Sequence, residues 1–117
     1  MALSFQDRFN VSRLKRFRDH SLRNRKWLRD PDDVLRYLSR GTVPTADETW
    51  PEGSALAAPI GEATERVKAF RRYANRAPGS RRPGNDPEAD DLWSAALAAI
   101  DALIAEAERM NGGALRA

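Results

Sequence analysis

The segment Pro87–Asn111 constrains this chain more than any other part, because it collects the large apolar residues that the rest of the sequence lacks. Only 29 of 117 residues are apolar and larger than alanine. Seven of them, Leu92, Trp93, Leu97, Ile100, Leu103, Ile104 and Met110, recur at helical spacing within this one segment. Together with Ala96 and Ala107 they fall within an arc of about 140° on a helix, a broad core-facing stripe. Asp86 stands in a cap position, Pro87 suits the first helical residue, and Glu88, Asp90 and Asp91 place negative charge where the helix dipole favours it. Gly112 and Gly113 supply the stop. A helix over 87–111 is expected to be the core element.

Other helices are expected to pack on this stripe. Ile60, Ala63, Val67, Phe70 and Ala74 share one face of a helix over about 60–76, followed by a Gly/Pro/Arg loop at 77–86. Asp30, Pro31, Asp32 and Asp33 open a short helix over about 30–40, with Val34, Leu35 and Leu38 inward and Gly41 as terminator. The stretch 41–59 holds Pro44, Pro51 and Pro59 and is expected to be irregular, with Thr45 and Glu48 able to open one turn and Trp50 anchoring the loop. In the N-terminal segment 1–29, Ser4 and Asp7 have cap spacing and Phe5 and Phe9 share a face. The apolar stripe nevertheless breaks near Asn10–Ser12. A short helix or turn followed by a helix over about 12–27 is expected. No strand pattern and no repeat appears. The fold class is therefore all-α: one small domain over 1–117, a bundle of three to four helices with a long irregular connection and a long C-terminal helix.

Charge is segregated although the net value is only +3. Residues 1–29 carry +7, residues 30–65 carry −6, residues 66–82 carry +7 and residues 83–117 carry −5. Either the basic blocks bind an external anion, or a basic helix lies beside an acidic one and the two neutralise each other. Arg13, Lys15, Arg16, Arg18, Arg23, Arg25, Lys26 and Arg29 surround the first block on almost every side, so they cannot all pair internally. In the second block Lys68, Arg72 and Arg76 form a like-charge row at i, i+4, i+8, followed by Arg81 and Arg82. Glu62 and Glu65 relieve only its first turn. Such a row is stabilised by an anion, and these thirteen cations are the candidate phosphate-binding residues.

The chemistry of catalysis is nearly missing. Zero cysteines exclude disulfides, thiolate metal sites and cysteine nucleophiles. His20 is flanked by Asp19 and Ser21, but neighbours on a helix point about 100° apart and cannot form a catalytic relay. The acidic residues Asp86–Asp91 lack the glycine and terminal glutamate of a calcium loop, and Gly79–Gly84 lacks the Lys-Ser/Thr of a phosphate loop. No catalytic residue, metal site, cofactor or small-molecule substrate is expected.

Two partner classes remain. The first is nucleic acid, DNA or RNA, held by its backbone without sequence-specific readout, since no zinc finger, RNA-recognition motif or basic zipper is present. The second is protein. On the far side of the last helix Ala95, Ala98, Ala102 and Ala105 make a flat face that lets another helix approach closely, and with Trp50 they are the candidate protein-interface residues, for self-association or docking onto a larger subunit. The expectation is a non-enzymatic accessory subunit of a larger assembly, an enzyme complex or a phage-like particle. With no apolar run that spans a bilayer and no leader pattern at Met1–Asp7, a cytoplasmic or intravirion setting without membrane contact is expected.

Overall fold

A computed structural model of the chain describes residues 3–19, 54–76 and 86–115, with side chains to Tyr73 in the second of these stretches. The described residues form three helices and no strand: α1 (Phe5–Phe17), α2 (Ala57–Arg76) and α3 (Pro87–Asn111). The fold is all-α. The short helix expected over 30–40, the Thr45–Glu48 turn, Trp50 and the 77–85 part of the loop lie outside the described residues.

α3 has the boundaries its sequence signals require. Asp86 sits in extended backbone (φ −143°, ψ 118°), and its Oδ1 accepts from the amides of Glu88 at 2.9 Å and Ala89 at 3.2 Å. Such a cap satisfies donors that the first turn leaves without a helical partner. At the other end Gly112 takes φ 78°, a left-handed conformation that strains any residue with a Cβ, and its amide closes the helix on the Arg109 carbonyl. Trp93, Ala96, Ile100, Leu103, Ile104 and Ala107 are all buried, and Leu92, Leu97 and Met110 pack half-buried beside them. The inward stripe is the expected one, lengthened by a buried Ala89.

α2 supplies Ala63, Val67 and Phe70 to the same core. The Phe70 and Trp93 rings meet edge-on with centroids 5.0 Å apart, and one turn further on the Tyr73 hydroxyl donates to Asp86 Oδ2 at 2.8 Å. Ascending positions on α2 thus meet descending positions on α3, an antiparallel arrangement that is the most extensive helix pairing among the described residues. α2 begins at Ala57 rather than near Ile60. Pro59 occupies the third helical position, where a backbone N–H would have no intrahelical acceptor, so the proline is accommodated rather than breaking the helix. Ser54 organises the entry: its hydroxyl accepts from the Leu56 amide at 3.1 Å, its carbonyl accepts from the Ala57 amide at 3.1 Å, and Leu56 is fully buried.

α1 corrects the N-terminal expectation. It is one continuous helix through Asn10–Ser12, capped by Ser4, whose Oγ accepts from the Asp7 amide at 3.0 Å. No break occurs, because two polar residues carry the inward stripe: Leu3, Asp7, Asn10, Val11 and Leu14 are all buried. Asp7 Oδ1 accepts from Ser54 Oγ at 2.9 Å, which ties α1 to the entry of α2, and Asn10 Oδ1 accepts from Gln6 Nε2 at 2.9 Å. Asn10 Nδ2 is buried and has no hydrogen-bond acceptor among the described residues. Arg18 retains helical dihedrals beyond α1, and the remainder of the expected 12–27 helix, from His20 onward, lies outside the described residues.

Candidate nucleic-acid interface

The cations of α1 divide by helix face. Those that follow the inward stripe, Lys15 and Arg18, are taken up by the acidic α3. Lys15 Nζ donates to Glu108 Oε2 and to the Leu115 carbonyl, both at 2.9 Å. The Leu115 amide in turn donates to the same Glu108 oxygen at 2.8 Å. One carboxylate therefore clasps α1 and the chain that turns back after Gly112, burying Leu115. The Lys15 ammonium and the Leu115 amide hold the Glu108 carboxyl below its ordinary range, with Arg18 adding to the effect. Arg18 donates through Nη1 to Asp101 at 3.1 Å and through Nε to Asp19 at 2.9 Å. For these two residues the blocks of opposite charge neutralise each other within the fold.

The outward cations have no such partners among the described residues. Arg16 is exposed and makes no ion pair among the described residues. Arg13 contacts an aromatic ring instead of a carboxylate, with its guanidinium carbon 5.9 Å from the Phe9 ring centroid. On α2, Glu62 accepts from Arg66 Nε at 2.8 Å, an exposed i, i+4 pair. Half-buried Lys68 and exposed Arg72 make no hydrogen bond or ion pair among the described residues. Charges one turn apart lie about 5–6 Å from each other at Cβ, so an unneutralised pair repels and attracts a shared anion. Arg76 closes α2, and its side chain lies outside the description, as do Arg23, Arg25, Lys26, Arg29, Arg81 and Arg82. The structure thus presents Arg13 and Arg16 on one helix and Lys68 and Arg72 on another, and assigns Lys15 and Arg18 to structural ion pairs.

The remaining candidates are placed as follows. Ala98, Ala102 and Ala105 are exposed along α3 and Ala95 is half-buried. The outer rim of α3 also carries Arg109 and Glu106, an i, i+3 pair that lowers the carboxyl's affinity for a proton and raises the guanidinium's. Tyr73 is bound to Asp86 and Phe17 packs against the core, so neither ring is free to stack on a ligand. The sequence places Phe5 and Phe9 on a common face and interleaves them with basic residues, a mixture that can combine phosphate contact with base stacking, without fixing which side of the helix they take. Both are exposed, with rings stacked at 6.3 Å and planes 17° apart. Among the described residues no group of three His, Asp or Glu side chains is arranged to hold a metal ion, and no helix is long and apolar enough to cross a membrane. No protein-family model, curated protein or solved structure matches the chain.

Proposed function

We propose that this chain is a non-enzymatic helical subunit of a larger assembly that holds the phosphate backbone of a nucleic acid without reading its sequence. The observation that carries the reading is the sorting of cations: α3 neutralises Lys15 and Arg18, while Lys68 and Arg72, like Arg13 and Arg16, have no carboxylate among the described residues. Arginine's planar fork suits phosphate, and backbone contacts carry no base information. Arg76, Arg81 and Arg82 continue the α2 row in sequence, Arg23, Arg25, Lys26 and Arg29 follow α1 in sequence, and all seven are included in the proposal on their sequence positions alone.

The test is fluorescence anisotropy with a labelled duplex over a range of salt concentrations. Each phosphate engaged contributes about −0.9 to the slope of log affinity against log salt. The double variant K68E/R72E is expected to bind every sequence more weakly and to show a slope shallower by roughly 1.8. Unchanged affinity in the variant, or no binding to DNA or RNA at low salt, refutes the reading. The exposed alanines of α3 favour a second one, a protein-only accessory subunit joined through that face. In that case the double change Ala98→Arg, Ala102→Arg abolishes assembly and spares the helix, and the wild type binds neither DNA nor RNA.

A further inference from the structure

The outward face of α1 combines features that backbone binding alone does not need. Phe5, at the first helical position, is 73% exposed, and Phe9, one turn later, is 38% exposed. Leaving the Phe5 ring in water and the Phe9 ring only partly covered forgoes burial that drives folding, in a chain with few large apolar residues. The rings form a column with Arg13: Phe5 stacks on Phe9, and the Arg13 guanidinium lies over Phe9. At 100° per residue, Ser12, Phe5, Arg16, Phe9, Arg13 and Gln6 occupy one arc of about 120° on the side away from Asp7, Val11 and Leu14. That arc contains no acidic residue.

We infer that this face is a stacking platform for the unpaired bases of a single-stranded nucleic acid, in which the exposed Phe5 ring receives a base, Phe9 backs that ring, and Arg13 and Arg16 receive the adjoining phosphates. Aromatic side chains interleaved with cations are the chemistry that single strands use, because every base has a π-face while its phosphates remain outside. The composition of the arc disfavours other occupants. A helix that inserts into a lipid surface needs a wide apolar face. Here the two rings are bordered by Ser12, Gln6 and two arginines, with no aliphatic residue among them. The inference rests on the phosphate-binding reading above and specifies the form of nucleic acid within it.

The experiment compares a short fluorescein-labelled oligothymidylate with a duplex of equal length, using the full chain and the variants F5A/F9A and F5L/F9L. Both positions are exposed, so circular dichroism is expected to be unchanged. The leucine pair retains apolar surface and removes the π-faces. Both variants are expected to lose roughly 10-fold or more in single-strand affinity while duplex affinity stays within about twofold. Single-strand affinity unaffected by either variant overturns the platform, as does a leucine variant that binds as well as the wild type. A Phe-dependent affinity for phosphatidylserine vesicles without any single-strand preference overturns it too. Duplex binding that persists with a steep salt slope while the platform fails leaves the phosphate reading standing; loss of all nucleic-acid binding by the wild type removes both.

Discussion

α3 and α1 solve the same problem, the burial of one helix face, with different materials. The inward side of α3 is apolar from Ala89 to Ala107, including Trp93, Ile100, Leu103 and Ile104. The inward side of α1 alternates Val11 and Leu14 with Asp7 and Asn10, and is fastened at its rim by Lys15 and Arg18. A helix buried by hydrophobic contact needs only shape, whereas one buried by polar contact needs each partner in place, since an unpaired buried group loses its hydration without compensation. The difference makes α3 the main apolar contributor to the core and α1 the helix whose charges are divided between the fold and its outer face.

Substitutions should separate the two. Trp93→Ala removes the ring that meets Phe70 and leaves a cavity in the α2–α3 pair, with an expected loss of about 3–5 kcal/mol in urea titration. A much smaller loss would mean that this pair is not the stabilising unit. Lys15→Met breaks the clasp on Glu108 and Leu115, and the expected loss is about 1–2 kcal/mol, because both partners keep some access to water.

That clasp also sets an acid dependence. The Glu108 carboxyl is held below its ordinary value of 4.5 in the folded chain. Its contribution to stability is therefore complete above about pH 4.5 and is lost as the pH falls through the lower folded-state value. Glu108→Gln is expected to lower the melting temperature at pH 7 and to flatten its decline in acid. An equally steep acid limb in the variant would contradict this assignment. The smallest effect is expected at Asn10, whose Nδ2 is buried without an acceptor among the described residues. Asn10→Leu exchanges it for an apolar side chain of the same branched outline, so the stability in urea titration should stay level or change by no more than about 1 kcal/mol. A loss of several kcal/mol would show that the Gln6–Asn10 bond matters more than the orphaned amide.

What was legible in the sequence follows the same division. Asp86-Pro87 and Gly112-Gly113 mark the ends of α3 because cap chemistry and a left-handed turn are encoded by single residues. α2 was legible as a helix but begins three residues earlier, since proline reads as a breaker and its tolerance in the first turn depends on the start of the helix. α1 was obscured because Asp7 and Asn10 occupy inward positions, and a search for apolar periodicity passes over them. The cation sites were legible as a population and not as individuals. Charge counting cannot distinguish Lys15 from Arg16, though helical spacing holds the signal: Lys15 and Arg18 lie one turn beyond Val11 and Leu14, on the side that meets α3. The outward placement of Phe5 and Phe9 is the complement of that spacing.

α1 turns Lys15 and Arg18 inward to hold the fold, and the proposal is that Arg13 and Arg16, turned outward, hold phosphate. It is tested most directly by the salt slope of duplex affinity in R13Q/R16Q and in K15Q/R18Q, measured at a low temperature at which circular dichroism finds both folded. The account predicts a slope shallower by roughly 1.8 in R13Q/R16Q, and the wild-type slope with a lowered melting temperature in K15Q/R18Q. Equal losses of slope in the two variants, or a loss confined to K15Q/R18Q, would contradict it.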